Sequence, residues 1–116
     1  MLDLTGTIDA AELPGGQLVV SAHGPLDERV AGALRDALVP LAAADGVQVV
    51  LDLEDAHGVD EAVLAVIGRA AELIHHRGER IGIVTRSPFV TSLIIDSGFG
   101  DVVTIFSSLK EAIGVA

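Results

Sequence analysis

The chain contains no cysteine, no tryptophan and no tyrosine, and Lys110 is its single lysine. Without cysteine there can be no disulfide, no thiol nucleophile and no thiolate metal site, and the redox compartment stays undetermined. Aromatic residues make up 3% of the composition, all phenylalanine, while 50% of the 116 residues are apolar. A core must therefore be built from valine, isoleucine, leucine and alanine. Basic residues are scarce too: seven stand against seventeen acidic ones, a formal net charge of −10. Such a surface repels phosphate backbones and anionic headgroups, which argues against nucleic acid and against membrane-surface binding. A protein with a basic or apolar face is the better match. No apolar run approaches the roughly 20 residues that cross a bilayer, so no membrane insertion is expected. The acidic start of the chain has no basic stretch ahead of an apolar one, unlike a secretory signal. The reading is a soluble, cytoplasmic protein whose 116 residues form one domain, 1–116.

What is present is an alternation of strand and helix patterns. A first strand is expected near residues 5–9, followed by a turn at Pro14-Gly15-Gly16, and a second strand over 17–22 broken by Gly24-Pro25. Asp27 is placed to cap a helix reaching about residue 44, in which Val30, Leu34, Leu38 and Leu41 form one apolar stripe. Residues 47–53 are a continuous apolar strand, the pattern of a strand covered on both faces. A second helix over about 60–76 ends at Gly78. It turns Val63, Ile67, Ala70 and Ile74 to one side, with Leu64, Val66 and Ala71 widening the stripe. Residues 80–85 read as the next buried strand. Ser87-Pro88 then opens a third helix, cap followed by proline, and Gly98 closes it. A short strand over 102–106 and a capping-box sequence, Ser108-Leu109-Lys110-Glu111, complete the chain. Phe89, Leu93 and Phe99 are expected in the core, although Leu93-Ile94-Ile95 can leave an apolar strip outside. Strands separated by helices pair in parallel through right-handed crossovers, and the hairpin-like start makes the first edge antiparallel. The expected architecture is a small α/β sandwich: a mixed, mostly parallel sheet of four to five strands with about four helices.

Within that frame residues 49–67 carry the functional signal: a buried strand, an acidic loop, and a helix opening on Asp60 and Glu61. The first four N–H groups of a helix lack intrahelical partners, so this end attracts anions. Here a fixed carboxylate occupies the spot. No Ser, Thr or Tyr occurs anywhere in residues 22–84, so no hydroxyl nearby can take a phosphate.

Four motifs follow one another in a familiar order: Gly24-Pro25-Leu26-Asp27, Val49-Val50-Leu51-Asp52-Leu53, Val59-Asp60 before an apolar helix, and Ile105-Phe106-Ser107-Ser108-Leu109-Lys110-Glu111-Ala112. With them essentially the whole chain resembles STAS domains, above all the stand-alone bacterial anti-sigma factor antagonists. The resemblance implies a STAS-like fold and a switch without catalysis. An unphosphorylated antagonist binds an anti-sigma kinase and frees the sigma factor, until the kinase phosphorylates a Ser or Thr at the start of the second helix. The family's usual Asp-Ser-Ser/Thr-Gly stands here as Asp60-Glu61-Ala62-Val63, which puts Glu61 at the phosphoacceptor position. What the resemblance implies for this chain is a non-enzymatic regulator of transcription without the usual phosphorylatable residue. Its partner would be an anti-sigma factor or related protein, it would use no cofactor, and a homodimer is left open. The implied contact surface comprises Asp27, Asp55, His57, Gly58, Asp60, Glu61, Ala62 and Val63.

Two roles compete for Glu61. It can stand in permanently for a phosphate, with one charge against roughly 1.5–2 for phosphoserine. It can equally be an acidic residue suited to the first helical turn, where the dipole favours it by about 0.3–1 kcal/mol. Asp27 divides in the same way between helix cap and contact residue.

Other constellations point less sharply. Asp52, Glu54, Asp55, His57 and Asp60 gather oxygen ligands of the kind hard cations take, but their spacing matches no established metal loop, and no metal is expected. His75 and His76 are adjacent on a helix, about 100° apart, and do not share an ion. Asp52 at a strand end suggests a response-regulator receiver, which also needs an acidic pair after the first strand and a lysine after the last. Lys110 lies instead in the C-terminal helix. No phosphate loop, nucleophile elbow or Ser/His/Asp arrangement can be placed. Two alternatives remain. One is a small-ligand or nucleotide sensor, which Glu61 opposes by repelling an anion. The other is a STAS subunit of a lipid-transport or signalling assembly.

Overall fold

Two strands meet across the Pro14-Gly15-Gly16 turn. In the computed structural model, which describes residues 7–44 and 46–114, β1 (Thr7–Glu12) and β2 (Gln17–Leu26) pair antiparallel. Residues 5 and 6 of the expected first strand lie outside the described residues. β2 then pairs in parallel with β3 (Gln48–Asp52), β3 with β5 (Ile81–Val84), and β5 with β6 (Val103–Phe106). The sheet runs β1-β2-β3-β5-β6, and a short β4 (Ala56–Val59) pairs with the far end of β2. The expected mixed, mostly parallel sheet is present, with β4 as an added strand where an acidic loop was expected.

Gly24-Pro25 does not break β2. The strand continues to Leu26 because its last residues leave β3 and take β4 as a parallel partner, Gly24 opposite Ala56 and Leu26 opposite Val59, with a register shift between the two pairs. Gly24 has φ 79, a bend that side chains resist. Pro25, exposed at the bulge, lacks an N–H that a regular ladder would use.

Helices α1 (Glu28–Ala43) and α2 (Glu61–His76) lie side by side on one face of the sheet. α1 buries Val30, Ala31, Leu34, Leu38 and Ala42, with Leu41 only partly covered. α2 buries Val63, Ile67, Gly68, Ala70, Ala71 and Ile74. Against Val20, Ala22, Val49, Leu51, Ile81, Ile83 and Val103 of the sheet they form the main core. Each large aliphatic side chain fully buried there contributes about 1.5–3 kcal/mol. The opposite face carries Val19, Val50 and Val84, packed with Phe106 of β6 and with Leu109 and Ala112 of α4 (Leu109–Ala112). β3 and β5 are thus covered on both sides, as a run of apolar residues requires.

The far ends of α1 and α2 are joined by Arg77, whose side chain is 11% exposed. Its Nη1 donates to the carbonyl of Leu41 at 3.4 Å and its Nη2 to that of Val47. Nε lies 2.9 Å from Glu79 Oε1, a charge contact whose angle falls outside hydrogen-bond geometry.

α3 (Pro88–Ile94) begins as expected: Ser87 Oγ accepts from Val90 N at 3.2 Å, and Pro88 occupies the first helical position. The helix continues into a wider turn over 95–99 and a single tight turn over 100–102. Phe89 is not in the core. It is 65% exposed, and Val90 and Ile94 take the buried positions. Leu93 and Phe99 are partly buried. At α4, Glu111 N donates to Ser108 Oγ at 3.2 Å, one arm of the capping box. The return arm is shifted by one residue, because Glu111 Oε1 accepts from Ser107 N (2.9 Å) and Ser107 Oγ (2.7 Å).

Candidate functional site

α1, α2 and α3 each follow a strand of the parallel part of the sheet, respectively β2, β4 and β5. Their N-termini consequently open on one edge, outside the carboxyl ends of the strands, where open α/β sheets place their sites. At the start of α1, Asp27 Oδ1 accepts from Arg29 N at 3.0 Å, and Oδ2 accepts from Arg29 Nη2 at 2.7 Å and Nε at 3.2 Å. These bonds, the side-chain ones foremost, hold the Asp27 carboxyl below its ordinary value of 3.8. At the start of α2, Asp60 Oδ1 accepts from Ala62 N at 3.4 Å, and the Asp60 carbonyl accepts from Leu64 N at 2.9 Å.

The two caps are tied together through the backbone. Asp60 N donates to Leu26 O at 2.9 Å, and Leu26 directly precedes Asp27. The loop between β3 and β4 is pinned in the same way. Gly24 N donates to Asp55 O at 2.9 Å, Leu53 N to Val84 O at 2.8 Å, and Glu54 N to Asp52 Oδ1 at 3.0 Å. His23 lies between Asp9 and Asp55, its Nε2 3.3 Å from the first carboxylate and its Nδ1 3.2 Å from the second.

This edge brings together most of the residues singled out from the sequence. Asp55, His57, Asp60 and Glu61 are exposed, while Asp27, Gly58 and Ala62 are partly covered. Val63 departs from the expected surface. It is fully buried under α2, because its position three residues after the cap turns it toward the sheet, so its side chain cannot meet a partner. The structure adds two residues that sequence reasoning missed, Arg86 and Phe89, both exposed at the start of α3 on this same edge. A signal for Phe89 was available. Proline at the first helical position sets the register, Val90 and Ile94 then share the inward face, and Phe89 is left outside.

From Glu61 a groove of about 360 Å³ runs along α2 past Leu64, Gly68 and Arg69 to Glu72, walled on its other side by Ser97 and Phe99. Gly68 permits this wall. A Cβ there would lie 3.0 Å from Phe99 Cδ1. Among the described residues no three His, Cys, Asp or Glu side chains are grouped to hold a metal ion, and no helix is long and apolar enough to cross a membrane. The edge presents carboxylates at two helix starts and an exposed aromatic ring at the third.

Residues 7–112 match the family model of the STAS domain. No curated protein matches the sequence. Among solved structures, the fold is similar to an anti-sigma factor antagonist from Mycobacterium paratuberculosis, with a TM-score of 0.79 and 24% identity over 94% of this chain and 92% of that one. It is similar to the Bacillus cell fate determinant SpoIIAA in its phosphorylated form, at a TM-score of 0.74 and 16% identity, covering 92% and 96% of the two chains. SpoIIAA in its unphosphorylated form gives the same TM-score of 0.74, at 12% identity over 92% and 94%. At these identities the likeness is one of fold, and it is equal for the two phosphorylation states. Sequence and fold agree, and the chain belongs to the STAS domain family.

Proposed function

We propose that this STAS domain is a non-enzymatic, cytoplasmic protein-interaction module of the anti-sigma factor antagonist kind. It is a regulator of transcription whose partner is an anti-sigma factor or related protein, and it works without phosphorylation at α2. The observation that carries this reading is Glu61, exposed at the first residue of α2, with no hydroxyl-bearing residue in residues 22–84. The helix start favours a negative group by about 0.3–1 kcal/mol, whether phosphate or carboxylate. A carboxylate supplies one charge, permanently, where phosphoserine supplies roughly 1.5–2 on demand. The start of α2 therefore carries a fixed charge, smaller than that of the phosphate whose addition separates the family's complexes, and we read it as compatible with binding.

The proposed contact surface is Asp27, Asp55, His57, Gly58, Asp60, Glu61 and Ala62, extended by Arg86 and Phe89. A formal net charge of −10 suits a partner with a basic face, since complementary charge speeds encounter and sets register. The test is a phosphotransfer and binding assay with the anti-sigma factor kinase of the same organism. Wild type binds the kinase and keeps its mass in the presence of ATP. The Glu61→Ser variant binds, gains one phosphate and is released when ATP is added. Phosphate on the wild-type chain, or no binding by either form, overturns the reading.

A further inference from the structure

α1 and α2 start at the same edge, run side by side and turn their outer faces to solvent. Between those faces lies a second groove, of about 270 Å³, lined by Arg35 and Val39 of α1 and by Ala65, Val66 and Arg69 of α2. Its floor is apolar and incompletely covered: Val39 and Val66 are only partly buried and Ala65 is exposed. Its rims are arginines, in a chain with seven basic and seventeen acidic residues.

Three of the other cations are engaged. Arg29 holds Asp27, Arg77 joins the helix ends, and Arg80 donates to Val103 O at 2.8 Å and to Thr104 Oγ1 at 3.2 Å. The two rim arginines are not held in this way. Among the described residues Arg35 reaches only its neighbour in sequence, Asp36, at 3.6 Å, with side chains 64% and 77% exposed, a pair of the kind that contributes little. For Arg69, no carboxylate among the described residues lies within ion-pair distance.

We infer that the α1–α2 groove is a second docking surface, which receives an acidic amphipathic helix from a protein partner. A helix laid in a groove presents apolar side chains at i, i+3, i+4 and i+7, and these meet the strip of Val39, Ala65 and Val66. Carboxylates flanking that stripe meet Arg35 on one rim and Arg69 on the other. Arg35 and Val39 are one turn apart on α1, and Ala65 and Arg69 one turn apart on α2, so the groove receives about one turn of the occupant. The domain's overall negative charge does not prevent this. Beyond about 8 Å at physiological salt its field is largely screened, whereas carboxylates seated on the rims act at contact distance. The groove stands independently of the role proposed for Glu61, although it adjoins that surface through Ala65 and Arg69.

The test uses two synthetic helical peptides, identical in their leucine stripe, one flanked by glutamates and the other by lysines, titrated into the isotope-labelled chain. The glutamate peptide is expected to shift the amides of Val39, Ala65 and Val66, and the lysine peptide to leave them in place. The double variant Arg35→Glu/Arg69→Glu, both sites exposed and so compatible with folding, binds the glutamate peptide about tenfold or more weakly and gains affinity for the lysine peptide. Arg35→Glu alone, whose side chain lines only this groove, keeps its affinity for the anti-sigma factor kinase, and Glu61→Ala keeps its affinity for the glutamate peptide, so the two surfaces fail or stand separately. Equal binding of both peptides, shifts centred on Phe89 and Ile95, or a dimer of the chain that the double variant abolishes would each overturn the assignment.

Discussion

The Nδ1 of His23 lies 3.2 Å from Oδ2 of Asp55, and so fastens β2 to the loop that leads into β4. On its other side His23 faces Asp9 of β1. The contacting groups are substantially exposed, so replacing His23 by alanine is expected to change global stability by less than about 1 kcal/mol. The local effect is larger. Exchange of the Gly24 amide, which is bonded to the Asp55 carbonyl, should quicken clearly, while that of Val20 in the central sheet stays slow. Equal acceleration at both amides would show that His23 acts on the whole fold instead.

Arg77→Ala removes the donors that the Leu41 and Val47 carbonyls accept, and separates the ends of α1 and α2. Urea unfolding should show a loss of about 1–3 kcal/mol. Arg77→Lys should recover only a minor part, since an ammonium cannot reach both carbonyls and Glu79 from one plane.

Acid should weaken the domain through two carboxylates. Asp27 is held below its ordinary value of 3.8, mainly by the side-chain bonds from Arg29, and Glu111 below 4.5, mainly by the hydroxyl of Ser107. Depressed native values mean that the folded chain binds these protons less readily than the unfolded one. Their contribution is present above the ordinary values and is lost as pH falls through the lowered ones. Stability measured between pH 6 and pH 2 should fall in that acid window. Asp27→Asn and Glu111→Gln should each flatten the fall, and combining them should flatten it further, because the two sites lie on different helices.

Gly68→Val should push the Phe99 ring away from α2, where a Cβ already comes within 3.0 Å of it. The expected loss is about 1–3 kcal/mol. Phe99→Ala in the same chain should recover part of it, and a double-mutant cycle will show a coupling that two independent sites would lack.

Periodicity and caps made α1, α2, β3 and β5 readable, because each buries a stripe or a run that only one element type can satisfy. Two features escaped for one physical reason. Ala56-His57-Gly58-Val59 is too short and too mixed to mark a strand, and Gly24-Pro25 looks like an end. Each becomes strand only because the other is there to pair with it. Local residues do not carry that information. The site divides similarly: Asp60 and Glu61 were visible from the helix start, whereas Phe89 shares their edge through the order of β3 and β5 in the sheet.

The hydrogen bond from Asp60 N to Leu26 O has a kinetic consequence. It links the starts of α1 and α2 directly, so a partner is expected to meet a preformed surface. Association should then show a single phase whose rate rises linearly with concentration and falls with added salt, while differences in affinity among variants appear in how long the complex lasts.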